Sequence, residues 1–507
     1  MTEDLCLHEV FSRQADETPD AVAVVDERES LTYRELDERS TRLATVLGRY
    51  RQEPGSRIGL YLRRGAGQVV AILAVLKAGC AYVPFDPDYP RDRIRYMAAD
   101  AAVDLVVADQ DTGSVLPEAQ VVGVDEEVWP GEEPGSTLSD TAPSTPDTPA
   151  YVIYTSGSSG SPKGVVVTHR NVTALLGACD QVFDLRGDDV WALFHSYCFD
   201  FSVWELWGAL SHGASVAVPS ADVARSPEAT LDFLVEHEVT VLNQVPSVFR
   251  YLSRAAEPGT TVPALRYVIF GGEPVDAGSV HDWRRNHGGD TEFVAMYGIT
   301  ETTVFAMYRR LPAGSAERDL GIGVPLPGNE IVVLDEHDRP VGPGVIGELH
   351  QAGPQLADGY LKRPELTAAR YPVLDFDGRP RRFYRSGDLA SVRPDGTLDY
   401  AGRVDDQVKI NGFRIEIGEI EHVLSGTDGV LDLVVVPTTS RIGEQTLVAF
   451  YSPRPGVATD GLPGRIAAHG RTVLPAFMIP SRFVPMDFLP LTPSGKADKR
   501  TLAEQVR

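Results

Sequence analysis

The sequence predicts an α/β fold, with a large N-terminal body of α/β sheets and a small C-terminal α+β lid domain. Three observations predict it. Apolar, β-branched runs alternate with helical patterns, as in VVAILAVLKAG (69–79), VTVLNQV (239–245), LRYVIFGG (265–272) and EIVVLD (330–335), the order that builds sheets with loops at the strand ends. The 507 residues are too many for one hydrophobic core, at roughly 150 residues per domain. A composition break near residue 402 opens GRVDDQVKINGFRIEIGEIEHVL (402–424). That segment reads as a polar turn, a strand, a tight turn at Asn411–Gly412, a second strand and an amphipathic helix. The expected domains are 1–403 and 404–507.

The N-terminal MTEDLCLHEVF carries acidic residues and no apolar core, so it is no secretory signal. The longest uncharged apolar run, GAGQVVAILAVL at 65–76, falls short of the roughly 20 residues of a membrane span. The net charge is −25 and no Lys/Arg-rich run occurs, which excludes a general nucleic-acid binder and a polybasic membrane binder. Cys6, Cys80, Cys179 and Cys198 are far apart and form no CxxC. They read as buried thiols in a reducing, cytoplasmic setting. VDEEVWPGEEPGSTLSDTAPSTPDTPA (124–150) is acidic and rich in Pro, Ser and Thr, a solvated connection.

Beyond that connection, YVIYT (151–155) runs into YTSGSSGSPKG (154–164). Three glycines, several hydroxyls and Lys163 after a strand-like run suit a loop that wraps N–H groups around phosphate oxygens. A Walker A box does not align. Gly342, Gly344 and Gly347 satisfy GxGxxG, but a turn-like segment precedes them and a strand-like ELH follows. A turn between strands is expected there, not a dinucleotide site. Of 47 basic residues only six are lysines, so each lysine invites a question.

Taken in order, ten segments resemble the core motifs of adenylate-forming ligases, specifically the adenylation domains of nonribosomal peptide synthetases. They are LTYREL (31–36), LKAGCAYVPFD (76–86), YTSGSSGSPKG (154–164), FDFSVWE (199–205), MYGITE (296–301), GELHQAGPQLADGYL (347–361), YRSGDL (384–389), GRVDDQVKINGFRIEIGEIE (402–421), LPAFMIP (474–480) and PLTPSGKADK (490–499). The resemblance implies a small β-barrel-like subdomain, a mobile lid, and a reaction. An amino acid carboxylate attacks the α-phosphorus of Mg·ATP, pyrophosphate leaves, and a pantetheine thiol on a carrier protein takes the aminoacyl group.

The resemblance also implies roles. Thr155, Ser156, Gly157, Ser158, Ser159, Gly160 and Lys163 would hold the β- and γ-phosphates. Thr300 would contact the α-phosphate, and Glu301 would hold Mg²⁺ as a hard oxygen ligand. Gly271, Gly272, Glu273, Tyr297 and Gly298 would bind the nucleotide, with Tyr297 stacked on the adenine. Asp388 and Arg403 resemble the ribose-contacting pair, with Tyr400 also on the nucleotide; an interdomain salt bridge is the plainer reading of Asp388 and Arg403. Lys496 resembles the catalytic lysine, compensating charge that grows at the α-phosphate, whereas Lys499 is expected to be merely solvated. Asp405 resembles the hinge, and Lys409 is left without a role.

Asp200 resembles the carboxylate that binds an α-ammonium, which acyl-CoA synthetases, luciferases and aryl-acid ligases lack. Phe201, Trp204, Asn243, Ile269, Gly271, Met296, Val304 and Phe305 would line the side-chain pocket. The set resembles a threonine-type pocket, except that Phe305 stands where that pattern has histidine. Threonine is the first choice, ahead of 2-aminobutyrate or valine. Ala295, Ser386, Asp358, Asn411 and Ser494 also depart from the family's residues. No carrier-domain serine motif follows Lys496, so the carrier is expected in trans. RPELTAARY (363–371) resembles the docking region for MbtH-like activators. An amino-acid:CoA ligase and an inactive ATP-binding scaffold are the rival readings.

Overall fold

The computed structural model describes residues 4–506 apart from 51–52, 110–114, 125–143, 158–159, 257–260, 288–289, 314–320, 377, 411, 440–444, 491 and 493–496. Lys496, Ser158, Ser159, Asn411 and Ser494 lie outside the described residues, as does most of the 124–150 connection. Close packing gathers the chain into two units. One holds Met1–Pro87, Ala101–Ile153 and Gly164–Val404; the other holds Asp88–Asp100, Tyr154–Lys163 and Asp405–Arg507.

The first unit is mixed α/β. Its largest sheet among the described residues has nine strands. Their order is Val324–Pro325, Met307–Leu311, Glu292–Tyr297, Tyr267–Phe270, Val241–Gln244, Val190–Ala192, Ser215–Ala217, Val22–Val25 and Ser30–Thr32. From Glu292–Tyr297 to Val22–Val25 the neighbours pair in parallel, and the outer pairs are antiparallel. Parallel strands covered on both faces need apolar side chains on both, which is why these strands appear as continuous apolar runs and not as alternations. A seven-stranded sheet contains the parallel strands Arg57–Tyr61, Ala81–Pro84, Leu105–Ala108 and Gln120–Gly123. The expected barrel-like part is a four-stranded antiparallel sheet, Glu330–Leu334, Gly347–Ala352, Tyr384–Val392 and Leu398–Arg403.

The apolar run at 65–76 becomes the helix Ala66–Lys77, every residue of which except Gly67 is buried. A helix apolar all round belongs inside a large core, and among the described residues no helix is long and apolar enough to cross a membrane. Lys77 at its end donates to Asp37 Oδ1 at 2.8 Å and to Ser40 Oγ at 2.8 Å. The neighbouring helix Tyr33–Gly48 starts where LTYREL supplies a capping box, Thr32 with Glu35.

In the second unit, Gln407–Ile410 and Phe413–Glu416 form a hairpin closed at Ile410–Phe413, with Gly412 at φ +80°, a backbone conformation that favours glycine. The helix Ile417–Ser425 follows. A sheet of Val430–Thr439, Gln445–Pro453 and Arg482–Pro485 packs its core side against that helix through Ile420, Leu424, Val435 and Ala449.

The GxGxxG segment behaves as expected: Gly347 begins a strand, so no helix stands where a dinucleotide phosphate would need one. One cysteine departs from expectation. Cys6, Cys80 and Cys179 are buried but Cys198 is half-buried, because it lies in the turn just before the helix Phe201–Leu210. Burial pushes the Cys6 and Cys80 thiols up to about 12, which leaves them unreactive at neutral pH.

Candidate active site

Open parallel sheets bind ligands at the carboxyl ends of their strands, and the predicted residues of the first unit collect at such ends. Asn243 lies beside Ile269 on the adjacent strand, and Ile269 beside Val294. The chain then leaves these strands through Gly271 and through Gly298 to Thr300. From another side, Asp200 begins the helix Phe201–Leu210, whose first turn puts Phe201 and Trp204 on one face, three residues apart.

These side chains pack into one aromatic-walled cluster. The rings of Phe201 and Phe305 are 5.0 Å apart, and those of Trp204 and Phe305 are 6.2 Å apart. Gly271 is required for its size: a Cβ there would come within 2.1 Å of Phe201 and 2.9 Å of Phe305. Val304 sits at φ +66°, a rare conformation for a β-branched residue and one that clusters at functional sites. Trp204 Nε1 donates to Asn243 Oδ1 at 3.0 Å. An indole N–H can only donate, so the amide oxygen faces Trp204 and the Nδ2 donor faces elsewhere. Among the described residues that buried Nδ2 has no partner.

Thr300 Oγ1 donates to Asp200 Oδ2 at 2.9 Å, across a hundred residues of sequence. Next to it Glu301 is fully buried, and the Tyr360 hydroxyl donates to its Oε1 at 2.8 Å. Tyr360 in turn lies 3.2 Å from the Tyr384 hydroxyl. Burial and the Glu301 charge hold the Tyr360 phenol well above its ordinary range, so it stays a donor. A buried carboxylate held by a neutral hydroxyl suits a hard divalent cation.

Tyr297 ends its strand with its hydroxyl on Asp388 Oδ2. Arg403, directly opposite Asp388 across the sheet, donates to Oδ1 at 2.6 Å, and Tyr400 approaches the same oxygen at 3.5 Å. Ser386 Oγ accepts the Asp388 N–H at 3.0 Å. The Asp388–Arg403 salt bridge exists, but it corrects the interdomain expectation: both residues belong to the first unit, fixed on neighbouring strands of one sheet. Glu273 Oε2 accepts the Ser247 N–H at 3.2 Å, and Gly272 has φ +83°.

Thr155, Ser156, Gly157, Gly160 and Lys163 belong to the second unit. The loop is tight: a Cβ on Gly157 would lie 2.0 Å from the Ser161 carbonyl oxygen. Asp405 accepts the Gln407 N–H at 3.3 Å, and Lys409 pairs across the hairpin with Arg414. Lys499 corrects an expectation. It is not merely solvated, because it lies 2.7 Å from Asp406 and 3.3 Å from Glu421. Burial pulls its pKa down, but the two carboxylates outweigh that and raise it.

Sequence reasoning passed over Tyr360 and the His195–Glu205 pair, 2.7 Å apart with Glu205 fully buried. Tyr360 lies inside a quoted motif, which was the available signal. Cys6, His8 and His169 also cluster, with one potential ligand atom from each within 4.8 Å of the others. His169 Nδ1 accepts the Leu7 N–H, which puts the ring proton on Nε2. Together with the raised Cys6 thiol, that marks a polar group of the core.

The family model for AMP-binding enzymes matches residues 11–361, and that for the AMP-binding enzyme C-terminal domain matches 419–496. The chain is 43% identical, over 98% of its length, to a dimodular nonribosomal peptide synthase of Bacillus subtilis (strain 168), of which it spans only 21%. It is 40% identical to syringomycin synthase SyrB1 of Pseudomonas syringae pv. syringae, over 98% of this chain and 81% of that one. Among solved structures it matches NpsA-ThdA, an artificially fused adenylation-PCP di-domain from Klebsiella oxytoca. That match has a TM-score of 0.84 at 26% identity and covers 95% of this chain and 93% of the other. The chain belongs to the AMP-binding enzyme family, among the amino-acid adenylation domains of nonribosomal peptide synthetases.

Proposed function

We propose that the protein binds ATP and an α-amino acid, joins the amino acid carboxylate to the α-phosphorus, and releases pyrophosphate. The aminoacyl group then passes from AMP to the pantetheine thiol of a carrier protein. The observation that carries this reading is the 2.9 Å bond between Thr300 and Asp200. It sets the proposed α-phosphate contact beside the proposed ammonium contact, the spacing needed when one small zwitterion spans both. A buried carboxylate binds an ammonium by a charge-assisted hydrogen bond, whereas a fatty or aryl acid offers it nothing.

The remaining roles follow the motif order. Thr155, Ser156, Gly157, Ser158, Ser159, Gly160 and Lys163 bind the terminal phosphates, and Lys496 steadies charge at the α-phosphorus. Glu301 is the residue that would hold Mg²⁺, whose charge offsets that of the phosphates. Asp388 and Arg403 serve the ribose, Tyr297 stacks on the base, and Tyr400, Gly298 and the Gly271–Glu273 segment also bind the nucleotide. Domains 1–403 and 404–507 meet at the hinge Asp405, and the helix Pro364–Arg370 is the docking element for an MbtH-like activator.

Threonine is the proposed substrate. The unpartnered Asn243 Nδ2 supports a side chain that brings an acceptor oxygen, against 2-aminobutyrate or valine. Amino-acid-dependent exchange of labelled pyrophosphate into ATP, run over a substrate panel, tests the whole reading. The expected result is strongest exchange with threonine, lost in Lys496→Ala while ATP still binds. A flat response to every amino acid would leave only the scaffold, and transfer to free coenzyme A in preference to a carrier would leave only the CoA ligase.

A further inference from the structure

Two carboxylates of the second unit sit on the donors of its Gly-rich loop. The Gly157 N–H donates to Glu419 Oε2 at 3.2 Å, and Lys163 Nζ lies 4.0 Å from Glu416 Oε1. Glu419 Oε1 accepts from Arg93 Nη1 at 2.8 Å. All four side chains are buried. Ser156 Oγ donates to the Arg414 carbonyl at 2.7 Å and accepts the Glu416 N–H at 3.1 Å. Gly160, at φ +86°, lies so close to His422 that a Cβ would come within 2.9 Å of the ring. The loop is therefore turned onto the acidic start of the helix Ile417–Ser425.

Main-chain N–H groups and an ammonium gathered around oxygen anions are how such loops hold phosphate. Here the anions are the protein's own. We propose that Glu416 and Glu419 are an internal anion that competes with pyrophosphate, and with the terminal phosphates of ATP, for Gly157 and Lys163. This inference rests on reading the loop as the phosphate site. Pyrophosphate and the two carboxylates exclude one another, because like charges in a buried setting repel strongly. When pyrophosphate leaves, the glutamates cover the loop's donors and keep the buried Lys163 compensated. The carboxylates thereby favour departure of the first product.

The test is calorimetric titration of the full chain with inorganic pyrophosphate and Mg²⁺, comparing wild type with Glu416→Gln, the Glu416→Gln/Glu419→Gln pair and Lys163→Ala. The glutamine pair is expected to bind pyrophosphate roughly tenfold more tightly, the scale of one charge-assisted contact, and Lys163→Ala more weakly. Structural damage lowers affinity and does not raise it. Glu416→Gln leaves the Arg93–Glu419 pair in place, so it remains informative if the double variant fails to fold. Unchanged or weaker binding in Glu416→Gln, alongside weakened binding in Lys163→Ala, would overturn the inference alone. Unchanged binding in Lys163→Ala would overturn the phosphate-loop reading and the inference with it.

Discussion

Asp388 and Asn243 are both fully buried polar side chains of the first unit, and they are satisfied in opposite ways. Asp388 receives Tyr297 on one oxygen and Arg403 and Tyr400 on the other, with Arg403 and Tyr400 fixed on the strand paired with its own. Asn243 spends its oxygen on Trp204 and leaves its N–H group without a partner. A buried donor left unmet costs about 1–3 kcal/mol. The contrast separates a polar frame whose groups are all met, proposed above to serve the nucleotide, from a cluster with one unmet donor, proposed above to meet the substrate's side chain.

The frame gives the largest expected effect. Replacing Asp388 by Ala leaves the buried Arg403 guanidinium without its carboxylate, and breaking a buried pair costs about 3–5 kcal/mol. The urea midpoint should fall accordingly, and binding of ATP should weaken with it. A midpoint close to wild type would mean that Asp388 is not the anchor of the frame.

Asp200 is tied to Thr300 by a buried hydrogen bond. Asp200→Ala removes one partner of a buried charge-assisted contact, a loss of about 2–5 kcal/mol. In pyrophosphate exchange the KM for the amino acid should rise roughly 100-fold, with that for ATP changing far less. Equal changes in both constants would remove Asp200 from the ammonium site.

Much of this was legible in the sequence because motif residues sit where strands end. YVIF before Gly271 and EFVAMY before Gly298 are apolar runs closed by glycine, and the residues proposed for the chemistry lie just past them. The hairpin at Gly412 was legible for the same local reason. What escaped was contact across distance. Tyr360 meets Glu301 from 59 positions away, and Lys499 meets Asp406 from 93 away. Neither periodicity nor composition encodes such pairs; only the folded path of the strands does. Glu416 and Glu419 look like solvated helix-start acids until Lys163 and Gly157 are placed against them.

His8 and His169 offer a control outside both regions. Burial holds their pKa values down, to about 4 and about 3, from an ordinary 6.5. The folded state therefore keeps them neutral where the unfolded chain takes up protons. Their contribution is complete above pH 6.5 and is lost as the pH falls from there toward 4 and 3, at about 1.4 kcal/mol per pH unit for each histidine. Urea unfolding between pH 7 and 5 should show this slope, and His169→Asn should flatten it. A slope unchanged in that variant would assign the acid sensitivity to other groups.

The smallest effect bears most directly on selectivity. Trp204→Phe removes the indole N–H that fixes the Asn243 amide, so the amide is free to present either its oxygen or its nitrogen to the pocket. Wild type should prefer threonine over valine, because the hydroxyl oxygen meets the waiting donor. The variant should lose part of that preference, by roughly tenfold or less, since one neutral hydrogen bond is worth about 0.5–1.5 kcal/mol. Asn243→Leu in the Trp204→Phe background removes the last polar group on that wall and should bring valine level with threonine, because an apolar pocket distinguishes such isosteres poorly. If the threonine-to-valine ratio of kcat/KM is the same in wild type and both variants, the unmet donor is not the selecting group. The cluster with the unmet donor would then differ from the Asp388 frame in structure but not in purpose.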